Sequence, residues 1–222
     1  MFPTVFRPKK SLATEVSEKG SVYFDTDVNV NGIVNITTNE GEIVVGHEVK
    51  AVDDINMTTN KGDIDIGSAI TSTGGSIGLQ VGTGDVTIGD NGPDVETVTA
   101  RDNINAKVDL GKIMIYGKTS TKNGDISMSA GEAQYNPGSQ NIIISQNGVL
   151  QSGADIELTG RNGDLHVTDR IQSNKNLTVN TEDAGSVYLD SDLNVDGNVK
   201  IKANQGDIIV GDYNAIVQFF LL

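Results

Sequence analysis

Cysteine and tryptophan are both absent from this 222-residue chain, and it holds only 4 prolines and 5% aromatic residues. Without cysteine there is no disulfide framework and no thiolate to serve as nucleophile or soft metal ligand. Histidine is nearly missing as well, with two residues, so no Ser, His, Asp grouping is on offer for nucleophilic catalysis. Positive charge is scarce: 16 Lys and Arg stand against 30 Asp and Glu, for a formal charge of -14. That balance repels nucleic acid and anionic membrane surfaces, and neither is expected as a partner. Long apolar runs are lacking too. MFPTVFRPKK at the start has no apolar core of signal-peptide length. IVQFFLL (216 to 222) is far short of the roughly 20 residues a membrane helix needs, so no membrane insertion is expected and this stretch reads as a cap, an edge strand or the end of a fragment.

Glycine is plentiful, at 26 residues, and Ile, Val, Thr, Asn and Asp fill much of the remainder. This is the composition of a β-rich chain with many turns. The hydrophobic share of 36% is modest, but it comes in regular short clusters, which implies a narrow core rather than disorder.

The clusters repeat. NEGEIVVG (39 to 46) returns as NKGDIDIG (60 to 67), and the glycine that opens each short β-branched run recurs as Gly20, Gly41, Gly62, Gly84, Gly111, a weaker equivalent near Gln140, then Gly163, Gly185 and Gly206. After the glycine, apolar residues stand two apart: Ile43 and Val45, Ile64 and Ile66, Val86 and Ile88, Ile113 and Ile115, Leu165 and Val167. That spacing is strand periodicity. A second run follows about twelve residues on, as in IVNITT (33 to 38), DINMTT (54 to 59) and SIGLQV (76 to 81), and stretches such as HEVKAV (47 to 52) leave room for a third short strand. Two longer intervals are explained by inserts around 90 to 96 and 131 to 140, both containing Pro and Gly as surface loops do.

A unit of 21 to 22 residues cannot bury its apolar side alone, whereas stacked units can. The expected fold is therefore a single all-β domain over 1 to 222, a right-handed parallel β-helix of roughly eight coils with 21 to 22 residues in each. Asn39, Asn60, Asn162 and Asn204, each close before a marker glycine, are expected to form part of a side-chain ladder at one corner. A larger period overlies the small one. Residues 20 to 46 align without gaps on residues 185 to 211, 165 positions later, with 16 of 27 positions identical. The chain reads as a piece of a longer tandem array, with open coil ends that invite end-to-end association.

The tandem G[DES][IV]x[IV]G strands, the NITTNEG and NMTTNKG turns and the -14 charge resemble the β-helical stalk repeats of filamentous-haemagglutinin-like adhesins. Within that group the long near-identical units are similar to the filamentous adhesins of the leukotoxin type found in Gram-negative anaerobes. The resemblance spans about Lys9 to Gly211. It implies a protein secreted through a dedicated outer-membrane partner and held at the cell surface or outside the cell as a long shaft. It also implies a receptor, protein or glycan, on a host or neighbouring cell.

No catalytic, cofactor-binding or metal-ligating residue is assigned. His166 lies between Leu165 and Val167 and should point outward, His47 lies at a corner, and Arg7, Arg101, Arg161 and Arg170 are scattered. The DTD (25 to 27) and DSD (190 to 192) turns are candidates for weak calcium binding, with capping of turn amides the simpler expectation. One pattern favours interaction. The outward positions of the first strand are Tyr23, Val44, Asp65, Thr87, Met114, Ile143, His166, Tyr188 and Ile209, and six of these nine are apolar or aromatic. Such a row exceeds what a solvated face needs, which makes Tyr23, Val44, Met114, Ile143, His166, Tyr188 and Ile209 a candidate interaction face for lateral self-contact or a receptor. The rival expectation is a β-helical carbohydrate-active enzyme or carbohydrate-binding module, with the two inserts walling a groove lined by carboxylates.

Overall fold

The computed structural model describes residues 10–89, 97–145 and 147–211. The chain is a β-solenoid of about nine turns, with about 22 residues per turn and no helix among the described residues. Successive turns contribute strands in the same order to three parallel sheets, called here faces I, II and III. Face I has nine strands, from Leu12–Lys19 to Val199–Ala203; face II has nine, from Val22–Phe24 to Ile208–Val210; face III has eight, from Val28–Val30 to Leu193–Val195. The expected two-strand repeat, its third short strand and the repeat length are all present, with one turn more than the eight expected.

Pairing in every face is between strands one turn apart, so the register follows directly from the repeat. On face I, Val34 opposes Ile55, Ile55 opposes Ile77 and Ile77 opposes Ile104. Period-2 alternation then places one side of each strand inside. Ile36, Ile43, Ile64, Ile88, Ile113, Leu165 and Val187 are all at most 1% exposed and belong to one continuous aliphatic stack. Burying a side chain of this size is worth about 1.5–3 kcal/mol, so the stacked interior is the main source of stability.

Two kinds of residue hold the corners. Gly41, Gly62, Gly84 and Gly206 have φ between 135° and 153°, and a Cβ at Gly41, Gly62 or Gly84 would meet the carbonyl oxygen of the marker glycine one turn below. Only glycine permits both the backbone angle and the close approach, which is why this position repeats. The second kind is a short polar side chain at the start of a strand or immediately before it, accepting a backbone N–H of the turn above. Asp63 accepts from Asp85 N, Asp85 from Lys112 N and Asp164 from Ser186 N, at 2.8, 2.8 and 2.7 Å. At the entry to face I, Asp54, Ser76, Asn103, Asp125, Asp155 and Asn176 form an unbroken succession of the same contact, ending on Asn198 N.

The asparagine ladder needs correction, and the sixth turn and the two ends add detail to the expected repeat. In the sixth turn Gly111 N donates to Gly131 O, as Gly62 N does to Thr83 O and Gly84 N to Leu110 O, so Gly131 stands where other turns have the residue before the marker glycine; the 131 to 140 insert then intervenes, and the face II strand opens at Gln140. The insert leads into a strand whose register shifts between Gln140 and Ile142. The asparagine ladder is one rung long. Asn60 Nδ2 donates to Asn39 Oδ1 at 3.0 Å, but Asn162 adopts φ 58° and bonds the Glu132 carbonyl, while Asn204 bonds that of Asp183. Asn162 itself makes the left-handed turn before Gly163, which swings its amide away from the ladder. The two ends also differ: Phe24, Val28 and Val30 of the first turn are only 7%, 4% and 3% exposed, whereas Ile208 and Val210 of the last are 47% and 38% exposed. The 90 to 96 insert and the IVQFFLL stretch lie outside the described residues.

Candidate interaction face

Face II carries the candidate row, and the strand pairs set its order. Tyr23 opposes Val44, Val44 opposes Asp65, Asp65 opposes Thr87 and Thr87 opposes Met114. The order then runs Met114 to Ile143, Ile143 to His166, His166 to Tyr188 and Tyr188 to Ile209. All nine residues therefore form one file across the solenoid, about 38 Å long for eight steps of ~4.8 Å. The row runs through the turn that bears the 131 to 140 insert, because the register shift falls before Ile142 and leaves Ile143 outward.

The other two faces show what an ordinary solvated surface looks like in this fold. The central row of face III includes Asn29, Lys50, Thr71, Thr99, Ser120, Gln151, Gln172 and Asn194, every one polar. On face I the outward residues include Asn35, Asn56, Asn105, Ser127 and Glu157. Asn56 Nδ2 donates to Asn35 Oδ1 at 2.9 Å, a polar rung on the solvent side. The apolar row is thus confined to one face of three. Its members are not sealed from solvent either: Tyr23 is 58% and Ile209 46% exposed, and the apolar residues between them are partly exposed.

The row has its most structured part near the C-terminal turns. His166 and Tyr188 stack with ring centroids 4.3 Å apart and planes 31° from parallel. His166 Nε2 lies 4.0 Å from Asp164 Oδ2. Partial burial holds the imidazole pKa below its ordinary value, with the Asp164 carboxylate opposing that shift. The pair lines an open groove of about 550 Å³ with Thr168, Leu189, Asp190, Ile209 and Gly211. Further along the row, Tyr116 OH sits 3.7 Å from Met114 Sδ, placing an aromatic ring beside the outward thioether.

His47 lies away from this row, with Nδ1 3.7 Å from Asp27 Oδ1 at an exposed corner. The two histidines are thus not brought together. Among the described residues no group of three or more His, Asp or Glu side chains is arranged to hold a metal ion, the DTD and DSD turns included. The described arginines stay dispersed, and Arg161 Nη2 bonds the Asp109 carbonyl at 3.0 Å. Many carboxylates are engaged as amide acceptors at the corners. The sequence pointed to amide capping only at the DTD and DSD turns and left this role of Asp63, Asp85 and Asp164 unassigned. Its signal was present, since Asp, Ser or Asn directly precedes the first apolar residue of most face I and face II strands. Thr38 and Thr59 likewise turn inward and bond the Gly41 carbonyl, so only Thr37 and Thr58 remain outward.

Comparison with protein-family models, with curated proteins and with solved structures finds no match.

Proposed function

We propose that the chain is a shaft segment of a secreted or cell-surface bacterial filamentous adhesin of the filamentous-haemagglutinin-like kind. Stacked turns hold a binding region away from the cell, and face II makes lateral contacts along the way. The observation that carries this reading is the confinement of an apolar outward row to one of three faces of a continuous solenoid. A rod that only needed to be soluble would dress all three faces alike, as faces I and III are dressed. Antibodies raised against the chain should label intact, unpermeabilised producing cells; labelling only after permeabilisation would sink the reading. Met114→Ser, Ile143→Ser and Tyr188→Ser should reduce binding of the purified chain to target cells while leaving circular dichroism unchanged.

A glycan-binding module is the second reading, favoured by the stacked His166 and Tyr188 rings beside Asp190 in an open groove. Aromatic faces pack on sugar C–H surfaces, and a carboxylate accepts their hydroxyls. Glycan-array binding abolished by Tyr188→Ala, with cell binding lost in parallel, would promote this reading over simple lateral contact.

A further inference from the structure

The outward row of face II holds one carboxylate and one imidazole, and they stand symmetrically in it. In the order set by the strand pairs, Asp65 is two steps from Met114 on one side and His166 is two steps from it on the other. Asp65 is exposed on its strand and His166 is partly exposed.

Such a file can mate with a copy of itself in two orientations. With the rods parallel every residue meets its own copy, so Asp65 meets Asp65 and like charges come together at a contact that loses water. With the rods antiparallel about a two-fold axis through Met114, residues equally distant from the centre meet instead. Asp65 then meets His166, Val44 meets Tyr188 and Tyr23 meets Ile209. Sliding the antiparallel copies by one turn sets the carboxylate against Ile143 or Tyr188 and leaves one row of each copy uncovered. Charge pairing and overlap of the row therefore select the same register.

We infer that face II is a self-docking surface: a second copy of this chain lies antiparallel across it, with Met114 on the two-fold axis and Asp65 of each copy against His166 of the other. The flanking positions fit this arrangement. Just after the strands, Asp25 falls opposite Gly211 and Asp190 opposite Gly46, so two carboxylates never meet on that side. Just before them, Lys112 falls one step from Asp85 of the other copy. Asp63 and Asp164 come to one level, but each carboxylate is turned onto a backbone amide of its own chain.

The mated area is small. Nine rows at ~4.8 Å and strands mostly three residues wide give a footprint of about 400 Å² per copy. A stable complex covers ~800 Å² per partner, so the contact of one such segment is weak and reversible. The charge of -14 on each copy opposes it further at low salt. This inference rests on the reading of face II as a contact face and deepens it by naming the partner, its direction and its register.

The test uses single-cysteine variants of the full chain, which has no cysteine of its own, at concentrations up to about 1 mM, where a weak contact is populated. Sheets packed face to face lie about 10 Å apart, so a short bis-maleimide rather than a disulfide reports the contact. Met114→Cys should cross-link to itself. Val44→Cys mixed with Tyr188→Cys should give at least about fivefold more dimer than either variant alone, because only the mixed pair is brought together. Gln151→Cys, on face III, is the control and should stay monomeric. Self-cross-linking of Val44→Cys and of Tyr188→Cys would show parallel rods and overturn the proposal. Equal yields from every variant, the control included, would overturn it too, and so would the absence of any dimer. Asp65→Lys should lower the Met114→Cys dimer yield about tenfold, since the two-fold repeats the contact, and adding His166→Glu should restore it; failure to restore it would overturn the register. A face II that binds only a receptor would give no dimer while Met114→Ser still lowered cell binding, which separates failure of this inference from failure of the contact-face reading.

Discussion

Replacing Gly62 with alanine isolates the contact that sets the length of the repeat. Gly62 has φ 135°, and a Cβ there would overlap the Gly41 carbonyl carbon and oxygen. The backbone angle alone costs a non-glycine residue about 1–3 kcal/mol. Forcing a methyl group into a packed corner adds about 1–3 kcal/mol more. A total near 4 kcal/mol would lower a urea midpoint by roughly 1 M or more, given m-values of about 1–3 kcal/mol/M. Two further glycines separate the contributions. Gly138 has φ 82° with nothing within 4 Å of a built Cβ, so Gly138→Ala should show only the angular cost of about 1–2 kcal/mol. Gly67 lacks a positive φ and its nearest neighbour is Val45 O at 3.7 Å, so Gly67→Ala should be stabilising by about 0.4–1 kcal/mol through the unfolded chain. Because solenoid turns couple only to their neighbours, Gly62→Ala should also reduce m by uncoupling the first turns from the rest. Equal losses from Gly62→Ala and Gly138→Ala would refute the close-approach argument.

Other outcomes follow from the same contacts. Asp85→Ala leaves the Lys112 N–H without its acceptor and should cost about 1–2 kcal/mol in denaturant unfolding, whereas Asp85→Asn keeps a side-chain oxygen there and should cost less than half as much. Ile88→Ala, at a position 0% exposed, should cost about 2–5 kcal/mol, while Ile208→Ala, at 47% exposure, should cost under about 1 kcal/mol. His166 has a folded pKa below its unfolded value, so the unfolded chain binds the proton more readily. Stability from this group is complete above the unfolded pKa of about 6.5 and falls as pH drops through that value toward the folded pKa. An NMR titration midpoint below about 6.5, together with a flatter stability profile over that range in His166→Gln, is the expected result.

The architecture was legible because three independent periodicities coincide. Glycine returned every 21 or 22 residues, apolar residues alternated within each run, and the 165-residue match fixed which positions correspond. Together these placed Tyr23, Val44 and Met114 in one outward file without any knowledge of contacts, since the side-chain period of a strand is 2 and pairing is one turn apart. Legibility failed where the backbone departs from the period. Gly131 ends a face I strand and the 131 to 140 insert follows at once, so the glycine period is interrupted there and only the strand opening at Gln140 carries the repeat signal. Asn162 bears the left-handed φ in a turn where other repeats place it on glycine, which removed a rung from the asparagine ladder. The role of Asp63, Asp85 and Asp164 was hidden for a different reason. Composition counts them as surface charge, and only the stacking of turns reveals that each carboxylate sits under an amide of the next.

A file of outward residues running unbroken along one face is the claim on which the shaft reading depends most directly, and its most demanding step crosses the 131 to 140 insert. The chain has no cysteine, so a Met114→Cys, Ile143→Cys double variant can be oxidised against a silent background. These residues pair directly across adjacent strands. Neighbouring strands lie about 4.8 Å apart, within the range a disulfide spans. Rapid formation of an intramolecular disulfide, with none from Ile115→Cys, Ile143→Cys, is the expected result. Failure of the first pair to close, or equal closure of the second, would contradict the register and with it the continuous face.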